Sequence, residues 1–430
     1  MAAVAVALSN ANWAPDTEGE KQLKAALEGA LISSPSSVVT KAPDGKKNRF
    51  ILQTQGYHDL YLYVVEGIKL CSSKEEFEKT FKKSTFAVVD KIDTSAYNLL
   101  RDTTVNVAKH CNEFNTNGLG RLTTSANGAI AYADHCIGLI KEKADISLYE
   151  AFQVLLDEKY AAAPKDDVFE EAVESATLAV KTLQKSAKQK GEDAKAMVDL
   201  LQAFYTETDN DKKSVATIEQ QFLKGPIDPV TGKPVLKPDG TPQEPYSEVM
   251  NKELTRLMKE ISDSITIKDK EYDKWDAAKN KAITYGVFGV FCGWLWIGSG
   301  IETDRAIKAK NKYDEMVALI AKDNEDKADL VRVLELVRAL VTHFQALLPK
   351  MEVALKATLE LKNLFNEQDL NFQLILNSLG DLQTGVSAKA LKSRKNWINT
   401  ALDEAVEKFK EIKELGEEFK RSATPTITEL

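Results

Sequence analysis

The chain has 430 residues, a formal charge of −8, and a composition that is 43% hydrophobic, 28% charged and only 8% aromatic. That balance excludes collagen-like, polybasic and disordered chains. Lys and Arg are interleaved with Asp and Glu throughout, whereas phosphate neutralisation needs clustered cations, so no nucleic-acid partner is expected.

Twelve prolines and 21 glycines are few for this length, and Ala, Leu, Lys and Glu dominate long stretches. The bulk therefore reads as all-α. The periodic segments are too long for compact globules, which points to an elongated long-helix bundle. Residues 1–8 (MAAVAVAL) are apolar but lack a positive n-region and a following cleavage site, so no standard secretory signal is expected. Cys71, Cys111, Cys136 and Cys292 include no close pair and make no disulfide scaffold.

In chain order, residues 16–32 form one short predicted helix, broken by the Ser33 to Ser37 cluster around Pro35 and by Pro43-Asp44-Gly45. Helices are expected over 50–70, 74–110 and 119–160, separated by Cys71-Ser72-Ser73 and by residues 115–118. Pro164 resets the chain, and Asp166 and Asp167 favour a new helix start.

From Phe169, steps of four and three residues visit sixteen positions to Phe222, thirteen of them apolar; Lys190, Thr208 and Asp211 are the exceptions. Such a 3.5-residue repeat keeps one seam facing a partner helix. Leu330, Leu334, Val337, Val341, Phe344, Leu348, Met351 and Leu355 follow the same rhythm. Pro349 lies inside it and should kink the helix near Phe344 and Gln345. A last amphipathic face carries Leu391, Ile398, Leu402, Ala405, Phe409 and Ile412. Three such faces need each other, which a bundle satisfies.

Two segments break the helical pattern. Residues 225–245 hold six of the twelve prolines, with Gly232 and Asp239-Gly240, and read as an extended loop or small hairpin at a bundle end. Residues 282–301 (AITYGVFGVFCGWLWIGSGI) are twenty consecutive residues without a charge, long enough to span ~30 Å as one helix. The run has five glycines and five aromatics, Tyr285, Phe288, Phe291, Trp294 and Trp296. Trp and Tyr favour the membrane interface, and glycine permits close packing or tight turning. A core helix rarely holds so many glycines. A permanent anchor would place residues 302–430 across the membrane and separate the two seams. The remaining reading is a tongue between two helical arms, covered at first because exposed apolar patches of this size are rarely tolerated, and inserted into a membrane later. A helical scaffold or tether held by one permanent span stays open as the alternative.

Long helices, a glycine- and aromatic-rich apolar tongue between two of them, and no catalytic signature together resemble the cytolysin A-type α-helical pore-forming toxins, the family of haemolysin BL, non-haemolytic enterotoxin and xenorhabdolysin components. Residues 286–300 correspond to that family's tongue, which is a β-hairpin or a helical pair. The resemblance implies a body of residues 1–281 and 302–430 and a head of residues 282–301. The expected membrane-inserting residues are Tyr285, Gly286, Val287, Phe288, Gly289, Val290, Phe291, Cys292, Gly293, Trp294, Leu295, Trp296 and Ile297. It also implies release from the producing cell, target-membrane lipids as the partner, a homo- or hetero-oligomer in the membrane, and in multicomponent systems a second toxin component.

No enzyme is expected. His110-Cys111 and His135-Cys136 are poor zinc ligands, since adjacent helical residues point about 100° apart; a Cys111–Cys136 disulfide and ordinary packing remain. His58 and His343 stand alone. Thr231-Gly232-Lys233 lacks the glycine spacing of a phosphate loop, and Pro234 replaces its Ser or Thr. Gly118-Leu119-Gly120 lacks the third glycine of a dinucleotide site. No catalytic residue, cofactor or metal site is assigned, and acidic pairs such as Glu170-Glu171 and Glu417-Glu418 read as solvated faces.

Overall fold

A computed structural model describes residues 13–42, 45–142, 147–161, 165–264, 325–382 and 387–423. The fold is all-α. A two-stranded antiparallel ribbon, β1 (Val39–Lys41) and β2 (Asn48–Phe50), is the exception among the described residues. Helices α1 (Glu18–Glu28), α2 (Ser34–Ser37), α3 (Gln55–Gly67), α4 (Lys74–Thr80), α5 (Ala96–Phe114), α6 (Gly120–Ile137) and α7 (Leu148–Leu155) precede three longer or flanking ones. These are α8 (Asp167–Ile218), α9 (Tyr246–Ser264) and α10 (Glu325–Ser378), with α11 (Ala388–Ala423) closing the chain. α8 has 52 residues and α10 has 54.

The N-terminal half is more finely divided than its pattern suggests. Phe50 ends β2, paired with Val39, and the helix starts at Gln55, where Thr54 Oγ1 accepts the Tyr57 amide. The β-branched Val38-Val39-Thr40 favours that strand. The expected helix 74–110 is three pieces: α4, a 3₁₀ turn Lys83–Phe86, and α5. Phe81 leaves the helical region, and Asp93 Oδ1 accepts the Ser95 amide at 2.8 Å, a local turn that competes with helix. The opposite error occurs at residues 115–118, where the expected break is a π turn, Asn115–Leu119, that carries the helix onward into α6. Ser33 to Ser37 likewise stays helical, through a π turn Gly29–Ser33 and α2. The expected helix 119–160 continues through a third π turn, Gly138–Glu142, and a separate helix starts where Ser147 Oγ accepts the Glu150 amide.

The long seams hold. Of the sixteen α8 positions and their extension into the π turn Glu219–Lys224, Phe169, Ala176, Val180, Leu183, Ala187, Ala194, Met197, Leu201, Phe204, Val215, Ile218 and Phe222 are buried, while Val173 is half-buried. On α10, Leu330, Leu334, Val337, Val341, Leu348 and Met351 are buried. The helix runs unbroken through Pro349, and Leu355 is only half-buried. The seam instead shifts to Ala354 and continues through Thr358, Leu361, Phe365, Gln368, Phe372 and Ile375. Two consecutive steps of three, 348 to 351 to 354, locally overwind such a repeat.

The chain divides into two compact units. Met1–His58, Asn117–Gln202 and Glu352–Leu430 form the first, and Asp59–Thr116 and Ala203–Met351 the second. In the first, Tyr132 of α6 sets its ring 5.3 Å from Phe365 of α10 and 6.1 Å from Phe409 of α11, joining three helices. In the second, Phe204 of α8 stacks on Phe114 of α5 at 4.4 Å and lies 6.2 Å from Tyr63 of α3. Gly67 permits the approach of α3 to α5, because a Cβ there would lie 2.2 Å from Cys111 Sγ.

Phe409→Ala should therefore lower stability by roughly 3–5 kcal/mol, the usual cost of emptying a buried aromatic site. Leu370→Ala, at a side chain 65% exposed, should change it by less than about 0.5 kcal/mol. Urea denaturation followed by circular dichroism distinguishes these outcomes, and equal losses would refute the packing assignment.

Candidate functional site

The residues expected to insert, Tyr285 to Ile297, lie outside the described residues, as does all of 265–324. Their chain neighbours are described. α9 leads toward them and buries Tyr246, Met250 and Leu254 at four-residue spacing. α10 follows them in sequence.

The first turns of α10 are unusual for an amphipathic helix. Leu330, Val331, Val333, Leu334, Leu336, Val337, Ala339, Leu340 and Val341 are all buried, which places apolar contact on every side. Asp329, Arg332, Glu335 and Arg338 recur every third residue among them, with Asp329 buried and the other three half-buried. Arg332 donates to Asp329 Oδ1 at 2.8 Å. The other Asp329 oxygen has Lys82 Nζ at 4.0 Å and no hydrogen-bond partner. Glu335 Oε1 is buried without a partner, and burial pushes its carboxyl up to about 7 against the pull of Arg338.

A second polar cluster occupies the same unit. His110 Nδ1 on α5 lies 2.7 Å from Asp211 Oδ2 on α8. That hydrogen bond raises the imidazole pKa against the effect of burial, and Asp211, Glu207 and Glu113 add to it by charge. Tyr63 of α3 is buried beside Cys111 and Asp211, and burial holds its phenol well above its usual range. Burial likewise pushes the Cys111 thiol up to about 12, so it carries no nucleophilic character.

Asp211 is the residue that the apolar seam alone passes over as an exception. A charge at a buried seam position requires a partner, and that requirement is the signal that could have led to His110. Cys111 and Cys136 are free buried thiols, one in each unit. Among the described residues no group of three His, Cys, Asp or Glu side chains could hold a metal ion, and no helix is long and apolar enough to cross a membrane. The loop at Thr231-Gly232-Lys233 uses its amides internally, since Asp228 Oδ1 accepts from Val230 at 2.8 Å and Thr231 at 3.0 Å. Those donors are not aimed at a phosphate.

No family model and no curated protein matches the chain. Among solved structures it is similar to the HblL1 toxin component of Bacillus cereus, at 12% identity over 85% of this chain and 95% of that one, with a TM-score of 0.44. It is also similar to SmhB of Serratia marcescens, from the pore of the tripartite α-pore-forming toxin Smh. There the identity is 12% over 84% of this chain and 99% of that one, with a TM-score of 0.36. YaxA from Yersinia enterocolitica is 17% identical over 85% of this chain and 95% of that one, with a TM-score of 0.23.

The two titrating groups of the second unit act in one direction. Glu335 holds its proton in the folded state, so stability should fall as pH rises from its unfolded value near 4.5 to about 7. His110 binds its proton more tightly when folded, so its contribution is complete below pH ~6.5 and disappears as pH rises through the higher folded value. His110→Asn should remove the upper step, on the order of 1 kcal/mol for a partly exposed pair, and leave the lower one. Glu335→Gln should do the reverse. Denaturation midpoints taken from pH 4 to pH 9 resolve the two steps, and a profile that neither variant alters would sink both assignments.

Proposed function

We propose that the chain is a non-enzymatic pore-forming toxin or toxin component. In this reading the run at 282–301 is covered before contact, enters the membrane of a target cell, and the chain then assembles into an oligomer with itself or with a second toxin component. The observation that carries the reading is the run itself: twenty uncharged residues, rich in glycine and aromatics, between charged segments of a helical chain. Its thirteen or so apolar side chains would each contribute on the order of 1 kcal/mol or more on leaving water, enough to offset loss of their earlier cover.

The helical body supplies what such a step needs. Its seams provide apolar faces that can exchange partners within a chain for partners between chains. The enclosed turns of α10, the helix that follows the run in sequence, hold buried carboxylates whose hydrogen bonding is incomplete, which makes that segment easier to rearrange than a fully satisfied core.

A charge within hydrocarbon costs about 2.5 to 3.5 kcal/mol on insertion scales. Phe291→Asp should therefore leave the helical circular dichroism and melting of the body unchanged while abolishing dye release from liposomes. Parent-like permeabilisation by this variant would refute the assignment of the run. Purification bears on the tether alternative: the proposed protein extracts in plain buffer, whereas a chain that needs detergent from synthesis onward is held by a permanent span.

A further inference from the structure

The hairpin between α8 and α9 exposes aliphatic side chains on an ordered scaffold. Val230 is 92% exposed and Leu236 60%, with Ile227 at 42% and Val235 at 38%. The base is pinned by Phe222 and Tyr246, whose rings lie 5.2 Å apart. Gly225 turns the chain at φ +102°, where a Cβ would approach the Gln243 carbonyl oxygen to 3.0 Å. Two successive turns follow. The Asp228 amide donates to Lys233 O at 2.8 Å and the Val235 amide to Pro226 O at 3.1 Å; Lys237 then donates to Thr241 O at 2.7 Å. Asp228 accepts from the Thr231 and Val230 amides and Asp239 from the Thr241 hydroxyl and amide, and those bonds hold both below the usual carboxylate range. Much of the hairpin's backbone polarity is thus satisfied internally, which lowers the cost of bringing it into a poorly hydrated zone.

Two occupants could cover these side chains. Their exposed area is on the order of 400 Å², half the ~800 Å² per partner that a stable protein interface buries. The tip also lacks the Trp, Tyr and Arg that dominate protein hot spots and offers Val, Ile, Leu and Pro instead. A lipid surface needs neither a matching shape nor a large area. Lys233 and Lys237 stand against Asp228, Asp239 and Glu244, two cations to three anions and a net charge of −1, so the matching surface is zwitterionic rather than strongly anionic.

We infer that the hairpin is a lipid-contact finger, in which Ile227, Val230, Val235 and Leu236 enter the interfacial zone of a zwitterionic membrane independently of the run at 282–301. This rests on the membrane-active reading above and adds a second, earlier contact to it.

The test uses the full chain and phosphatidylcholine vesicles, with binding read by flotation and permeabilisation by dye release. Phe291→Asp should still float with vesicles while releasing no dye. Adding Val230→Ser and Leu236→Ser to it should lower vesicle partitioning roughly tenfold, with an unchanged thermal melt because both sites are exposed. Failure of Phe291→Asp to float at all, or partitioning that the hairpin changes leave intact, would overturn the finger. So would hairpin changes that spare vesicle binding but abolish chemical cross-linking to a second copy, since the contact would then be with protein. A parent that floats through the hairpin yet never releases dye would support the finger while refuting pore formation by this chain acting alone.

Discussion

A polar residue at a seam position has to bring its own partner, and the arrangement of this chain follows that constraint closely. Asp211 sits in the α8 repeat and meets His110 of α5 at 2.7 Å. Arg394 sits in the α11 repeat and meets Glu20 of α1 at 2.6 Å, beside the ring of Trp13. Gln368 occupies the α10 repeat; it donates to the Ala30 carbonyl at 2.6 Å and accepts from Tyr132 Oη at 3.1 Å. Thr208 and Thr358 solve the problem within their own helices, donating to Phe204 O and Ala354 O at 2.8 and 2.9 Å. A pair such as Arg394–Glu20 adds little net stability over an apolar isostere, but removing one member strands a buried charge. In helices this long, where an apolar repeat alone permits slippage by a heptad, such pairs fix the register.

The same rule is met only in part at the start of α10. Asp329 and Glu335 are in a helix enclosed by apolar neighbours, and each keeps one buried oxygen without a hydrogen bond. These carboxylates are incompletely answered, as are Asp90 and Glu404, each of which also keeps one buried oxygen without a hydrogen bond. Low dielectric makes that costly for the folded unit, and for Glu335 the cost appears as a carboxyl that holds its proton to about pH 7. The second unit thereby favours acid on two counts, through Glu335 and through His110. The first unit's buried pair has the opposite character. Burial raises the Glu20 pKa, but the Asp16 amide and Arg394 outweigh it and keep the carboxylate charged.

What could be read without coordinates divides along physical lines. The seams of α8, α10 and α11 were legible because each position contributes to one repeat, and Phe169, Met197, Val337 or Phe409 needs no knowledge of its partner to be placed. The chain between Phe50 and Tyr160 was not legible in the same way. There the boundaries depend on local side-chain bonds, such as Asp93 to Ser95 and Ser147 to Glu150, that compete with the helix on nearly equal terms. The reverse happened at Asn115 to Leu119: residues poor in helix propensity were absorbed as a π turn because Phe114 and Leu119 on either side are buried. Past Met351 the α10 seam changes phase, and the polar Thr358 and Gln368 disguise its continuation. The tongue residues rest on sequence alone.

The segments that break the helical pattern are also those to which membrane contact is assigned, and one argument connects them. A residue in a seam is constrained by its partner helix, and an uncharged run with five glycines in twenty residues, as at 282–301, fits such a seam poorly. The hairpin at 225–245 departs from the pattern differently. It spends its polar groups on its own turns and leaves Val230 and Leu236 in water, where a loop selected only for connection would carry polar side chains. One segment has the length to cross hydrocarbon, and the other only the depth of an interface. A chain that had to find a membrane before committing to it would need both, with the shallow contact ordered in advance and the deep one withheld until the surface is reached.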